Sequence, residues 1–192
     1  MREIEIRRHS CTKKGPERGH GSHLSQDGVN LAREVAAGMG SFDLVVASEV
    51  PRTAETALAM GFAVDDVIAV PGEIVEAAFA VTGHHERWGW EQPWARFAHL
   101  VEQEGAVARL GEWLRERWER ALATVPESGR VLVISHGRMI EIGVIACLPD
   151  LPRSDFTDWG DSLHQCEGIR MTWRDGQFGD PRIRRARRCR HA

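Results

Sequence analysis

The sequence predicts an α/β protein, a three-layer α/β/α sandwich around a mainly parallel central sheet. Apolar, β-branched runs at 4–8, 42–48, 67–70 and 131–135 have the length of buried strands. Stretches with three-to-four apolar spacing alternate with them, as amphipathic helices do. Strands alternating with helices form parallel sheets covered on both faces.

Taken in order, Ile4-Glu5-Ile6-Arg7-Arg8-His9-Ser10 is a strand followed by a loop rich in Lys, Gly and His. Ser25 suits a helix N-cap, and Val29, Ala32, Val35, Ala36 and Met39 recur at helical spacing until Gly40. Residues 42–48 form the second strand. Pro51 suits the first turn of the next helix, which ends at Gly61. Residues 67–70 make a short third strand.

From 73 to 105, Trp88, Trp90, Pro93 and Trp94 interrupt any clean period, so this stretch reads as helix with an irregular start. Val107, Leu110, Trp113, Leu114, Trp118 and Leu122 define a helix over 106–125. Val131-Leu132-Val133-Ile134-Ser135 is a strand ending at His136, with a helix over 137–147 behind it. Residues 169–173 make a late strand, and Gly176 turns the chain towards Phe178.

At 192 residues the chain can bury one full core. One domain over 1–180 is expected, with 181–192 as a basic, solvated C-terminal tail. A net charge of -3 gives no general attraction to nucleic acid or anionic membrane. No run approaches the roughly 20 apolar residues that span a bilayer, and the N-terminus lacks a secretory pattern. The four cysteines are scattered without Cys-x-x-Cys spacing and read as unpaired thiols of a cytoplasmic protein. His20, His23, His84 and His85 match no ligand spacing, so no metal or other cofactor is expected.

The chemistry-bearing residues fall at strand ends. Arg8 and His9 follow the first strand, Arg52 and Thr53 the second, and His136 the late one. In a parallel sheet these ends share one edge, where ligands bind. Two arginines and two histidines there make a cationic pocket suited to a phosphate dianion. A neutral imidazole can attack phosphorus when an acceptor holds its other nitrogen. Arg7 competes with Arg8 for the inward position, and adjacency to His9 favours Arg8. Glu55, three residues after Arg52, reads as a structural ion-pair partner. Ser10, Lys13 and Arg18 are candidate substrate-loop residues. The tryptophans around position 90 either wall the pocket or pack on the core.

Several motifs occur in one order. They are Arg8-His9-Ser10, then Leu24-Ser25-Gln26-Asp27-Gly28 with Ala32, then Ser48-Glu49-Val50-Pro51-Arg52-Thr53-Ala54-Glu55-Thr56-Ala57, then Ser135-His136-Gly137, then Asp161-Ser162. Together they resemble the histidine phosphatases, the phosphoglycerate mutase-like superfamily. The resemblance implies a phosphoglycerate mutase-like fold, His9 as a nucleophile forming a phosphohistidine, Arg8 and Arg52 as phosphoryl clamps, and His136 as transition-state stabiliser. It also implies a carboxylic acid for the leaving group, with Glu76 preferred and Glu73 the alternative. Ser10 replaces the glycine usual after the first histidine, and the following loop lacks the usual asparagine.

The resemblance therefore implies a cofactor-independent, histidine acid-type phosphatase acting on a phosphomonoester of a small metabolite. Alternatives are a phosphohistidine protein phosphatase, a phosphate-binding regulatory protein of low turnover and, less favoured, a phosphoglycerate mutase. The expected partner is a small phosphorylated substrate or phosphate, not nucleic acid or membrane. Substrate identity and oligomeric state stay open.

Overall fold

The computed structural model describes residues 1–14, 21–83 and 90–189. The elements run β1 Arg2–Arg8, α1 Gln26–Ala36, β2 Leu44–Ser48, α2 Pro51–Ala59, β3 Asp66–Ile68 and α3 Gly72–Thr82. They continue with α4 Pro93–Glu102, α5 Ala106–Thr124, β4 Arg130–Ser135, α6 Met139–Cys147, β5 Gly168–Arg174 and β6 Gln177–Arg184. A 3-10 helix, Arg153–Trp159, precedes β5. Ser25 caps α1 by accepting the Gly28 N–H, and Pro51 opens α2, as their positions predict.

The strands form one sheet in the order β3-β2-β4-β1-β5-β6. The first four are mutually parallel, and β5 and β6 add antiparallel pairings at one edge. Strand side chains alternate between faces, which sorts the apolar residues into two cores. Ile4, Ile6, Val131 and Val133 pack with Trp94, Phe97, Leu110, Leu114 and Trp118 of α4 and α5. Val45, Leu132 and Ile134 pack with Leu31, Ala32, Ala57 and Met60 beside α1 and α2. The result is the expected three-layer α/β/α sandwich.

The irregular stretch resolves into α3 and α4, with Pro93 in the first turn of α4. Trp94 is fully buried, packs on Trp159 with ring centroids 4.9 Å apart, and donates its indole N–H to the Asp161 carbonyl. Trp88 lies outside the described residues.

On β1 the polar face is buried as thoroughly as the apolar one. Glu5 is 1% exposed, and its carboxylate accepts Arg7 Nε at 2.7 Å and Arg170 Nη2 at 2.7 Å. Burial alone would raise the Glu5 carboxyl, but Arg7 and Arg170 outweigh it and hold it below its ordinary value. Arg7 also donates to the Cys166 carbonyl at 2.8 Å, so it is committed to the sheet, and Arg8 is left for the strand end.

The C-terminus departs from expectation. Position 180 falls inside β6, and the residues just beyond it are docked instead of solvated. Arg185 donates to the buried Glu167 carboxylate at 2.8 Å and to the carbonyls of Trp159 and Asp161, while Arg187 pairs with Glu34. A buried carboxylate at Glu167 needs a counter-charge, and the tail supplies it. The fold-back also corrects the reading of the cysteines as unpaired. Cys11 and Cys189 form a disulfide pair across 178 residues, with Cα atoms 6.7 Å apart, whereas Cys147 and Cys166 are buried and free.

Removing the Glu5 carboxylate leaves Arg7 buried without its charge partner. Glu5→Ala is expected to destabilise the fold by about 3–5 kcal/mol. Urea unfolding of the two proteins measures this, and equal midpoints would show that the cluster contributes nothing.

Candidate active site

Strands β1 and β4 are adjacent and parallel, with Arg8 in register with Ser135. The next residue of each is a histidine, so the two imidazoles leave the sheet side by side. Their ring centroids are 5.3 Å apart and their planes are tilted by 59°. β2 flanks β4 on its other side, which brings Ser48 and, from the first turn of α2, Arg52 to the same edge.

Arg8, His9, Arg52 and His136 together line a cavity of about 350 Å³. Glu73 and Glu76 on α3 are both exposed, but Glu76 lines the cavity and Glu73 takes no part in its wall. Ser10 does not face it. Its side chain is fully buried and donates to the Gly28 carbonyl at 2.7 Å, while its N–H donates to Thr56 Oγ1. Gly28 is required there, since a Cβ would come within 2.1 Å of the Cys11 carbonyl oxygen. Lys13 is exposed and outside the cavity wall, the buried Trp94 is no part of that wall either, and Arg18 lies outside the described residues. Glu55 is structural by a route other than the expected helix pair: it accepts the Leu24 N–H at 2.7 Å and pairs with His23.

The protonation of His9 follows from its partner. Its Nδ1 lies 2.7 Å from the Ser10 carbonyl oxygen, which can only accept, so Nδ1 carries the hydrogen. Nε2 therefore keeps its lone pair. Burial first, then His136 and Arg8, hold the His9 pKa well below the usual 6.5, and Arg52 adds to this; the Ser10 bond opposes them and loses. The ring is neutral at neutral pH.

His136 is oriented by two contacts. Ser48 Oγ lies 2.7 Å from its Nε2 and in turn donates to Thr53 Oγ1, so the histidine is the donor in that bond. Its Nδ1 accepts from Arg52 Nη2 at 3.3 Å. Arg8 donates Nη1 to the Leu163 carbonyl at 2.7 Å, and its buried Nε has no partner among the described residues. Burial lowers both guanidinium pKa values, and Arg8 lowers that of Arg52 further. These cations repel one another in a partly dry pocket, and a bound dianion would relieve all of them. No group of three or more His, Cys, Asp or Glu suited to a metal occurs among the described residues. His20, His84 and His85 lie outside them.

Comparison with known proteins agrees with this geometry. The family described as histidine phosphatase superfamily (branch 1) matches residues 5–182. This chain belongs to the histidine phosphatase superfamily. A search of curated proteins found no match. Among solved structures it is similar to the Entamoeba histolytica phosphoserine phosphatase in complex with 3-phosphoglyceric acid, at 15% identity and TM-score 0.64. That likeness covers 97% of this chain and 98% of the other. A mycobacterial glucosyl-3-phosphoglycerate phosphatase complexed with VO3 is 19% identical with TM-score 0.60, over 97% of this chain and 100% of the other. A putative phosphohistidine phosphatase SixA from Agrobacterium tumefaciens is 14% identical with TM-score 0.52, over 93% and 96%. These likenesses establish the phosphoglycerate mutase-like fold.

The site also rests on residues that the sequence reading passed over. Glu141 is fully buried in α6 and accepts the Leu163 N–H at 2.9 Å, so it fixes the residue whose carbonyl holds Arg8. Burial raises its pKa above the ordinary value despite that bond and the nearby Arg8. A single carboxylate inside Met-Ile-Glu-Ile-Gly-Val-Ile-Ala-Cys was the available signal. Gly137 packs under Arg8, where a Cβ would stand 3.2–3.3 Å from the guanidinium. Glu49 and Arg138 complete the cavity wall.

His9 makes stability depend on pH. Its folded pKa is depressed, so below about 6.5 the unfolded chain binds a proton that the native site refuses. Stability is expected to fall as pH drops through that value, by up to about 1.4 kcal/mol per pH unit. In His9→Gln that share of the slope is expected to vanish, and thermal unfolding between pH 7.5 and 5 measures it.

Proposed function

We propose that this histidine phosphatase hydrolyses phosphomonoesters of small metabolites, without a cofactor, through a phosphohistidine on His9. The observation that carries the reading is the fixed His9 tautomer: a neutral imidazole, unprotonated at Nε2, on a residue that lines one cavity with Arg8, Arg52 and His136.

In the first step His9 Nε2 donates its lone pair to phosphorus, a P–N bond forms, and the ester P–O bond breaks. Arg8 and Arg52 neutralise the charge spread over the three equatorial oxygens, with His136 stabilising the transition state beside them, which is most of the catalytic work in phosphoryl transfer. The departing alkoxide takes a proton from Glu76. In the second step Glu76, now a carboxylate, removes a proton from water as its oxygen attacks phosphorus. The P–N bond breaks, and phosphate and neutral His9 are regenerated. Glu76 suits this part because it stands on the α3 wall of the cavity that His9 also lines.

A phosphohistidine substrate would present a nitrogen leaving group that needs less proton assistance than an alkoxide. The two carboxylates on the cavity wall, Glu49 and Glu76, favour the ester.

The test is phosphate release from a panel of phosphorylated metabolites and a phosphohistidine peptide, with chelator present, joined to rapid-quench labelling. An acid-labile phosphoenzyme is expected in the wild type and absent in His9→Ala, whose turnover falls to background. Glu76→Gln is expected to slow alkyl phosphate hydrolysis roughly 100-fold and p-nitrophenyl phosphate far less, because nitrophenolate leaves without a proton. Full activity in His9→Ala would exclude the covalent route, and a strict metal requirement would count against the whole reading.

A further inference from the structure

Away from the phosphate anchors, the cavity wall changes character. Val50, Ile68, Val70, Val75, Phe79 and Met139 supply it, and the carboxylates of Glu49 and Glu76 stand among them. Ser48, the remaining hydroxyl on the wall, is occupied by His136 and Thr53. A substrate carrying a second carboxylate or phosphate would meet Glu49 and Glu76 there, and the guanidinium of Arg138 on the same wall is engaged with Thr82, Gly83 and Phe79. A polyhydroxylated body would desolvate its hydroxyls against branched aliphatic chains. At about 30 Å³ per water-sized group, 350 Å³ holds about a dozen non-hydrogen atoms, so the phosphate leaves room for roughly seven more.

One wall of this slot is held in place by a strained residue. Arg138 follows the His136-Gly137 pair with φ 62° and ψ −54°, and the Met139 N–H closes a tight turn on the Gly137 carbonyl at 2.9 Å. That is a positive-φ γ-turn, a rare and strained conformation for a residue with a side chain. Arg138 is nonetheless 5% exposed and donates Nη1 to the Gly83 carbonyl at 2.5 Å and to Thr82 Oγ1 at 3.2 Å. Its guanidinium also covers the Phe79 ring, 4.8 Å from the centroid. It thus ties the end of α3 to the turn that carries His136. Ala78 is the one fully buried residue of α3, and Ile74 and Phe79 pack against the core where the helix meets α5.

Resting on the phosphatase reading above, we propose that the leaving-group side of this site is an apolar slot for phosphomonoesters of short alkyl chains or single rings. Arg138 is the positioning residue that holds its α3 wall. The strained turn is retained because glycine, which would relax the backbone, would release that wall.

The experiment is kcat/KM for straight-chain alkyl monophosphates from methyl to octyl, with glycerol phosphate and 3-phosphoglycerate as polar counterparts. We expect kcat/KM to rise about 3-fold per methylene and level off near six to eight carbons. Glycerol phosphate and 3-phosphoglycerate are expected to fall at least tenfold below propyl phosphate. Phe79→Ala and Arg138→Gly are both expected to flatten the chain-length dependence. Arg138→Gly is expected to keep or raise Tm, since glycine adopts positive φ freely; a merely structural arginine would lower Tm and depress all substrates by one factor. Polar substrates matching or exceeding their alkyl counterparts would overturn the substrate class while His9 labelling still upheld the phosphatase. A chain-length slope unchanged in Arg138→Gly would overturn the part given to Arg138. Absence of both phosphate release and His9 labelling with every substrate would remove the phosphatase reading and this proposal together.

Discussion

The parallel pairing of β1 with β4 is the constraint on which the site depends. It sets two histidines side by side at one sheet edge and places two arginines within the same small cavity. Such a cluster is electrostatically unfavourable by itself, because each cation lowers the tendency of its neighbours to hold a proton. Arginine cannot yield its proton, so the imidazole does. The neutrality of His9 is thus a consequence of crowding and burial, and that neutral form is the one the proposed mechanism requires. The same crowding suits the cavity to a dianion, so in the proposed reaction one arrangement prepares the attacking atom and draws in its target.

Crowded cations persist only where carboxylates behind them offset the repulsion. Arg8 is steadied by Glu141 and Glu167 through space and, through Leu163, by Glu141 in hydrogen bonds. Arg7 and Arg170 share Glu5 on the opposite face of β1. Glu167 recruits Arg185 from the C-terminus, which ties the last residues of the chain to the backbone that bonds Arg8, since the Glu167 carbonyl accepts the Arg8 N–H at 2.8 Å. The tail is in this way part of the frame behind β1.

What could be read from sequence followed the range of the interactions involved. Arg8, His9, Arg52 and His136 were legible because strand ends and helix starts are local features, and their order along the chain implies the shared edge. The cap at Ser25 and the break at Pro51 were legible for the same reason. Ser10 was misread because its hydroxyl is claimed by Gly28, a helix residue brought close only by tertiary packing. The docked tail and the Cys11–Cys189 pair were hidden because their partners lie more than 15 residues away, in one case 178. Glu141 shows an intermediate case: its lone charge in an apolar helix was visible, but its partner, the Leu163 peptide, was not.

Arg138 reveals a different kind of limit. The helical pattern after His136 predicted a helix from Gly137, whereas α6 begins at Met139, because the turn at Arg138 leaves the helical region. A side chain at such φ and ψ costs about 1–3 kcal/mol, and glycine would remove most of that cost. Local propensity therefore argues against arginine here, and the burial of its guanidinium on Thr82, Gly83 and Phe79 argues for it. Where two levels of structure disagree in this way, the residue is held by what it does for the assembled site. Here it joins the turn bearing the second histidine to the helix bearing Glu76 and Phe79, so the phosphate end and the leaving-group end of the cavity are coupled through one strained residue.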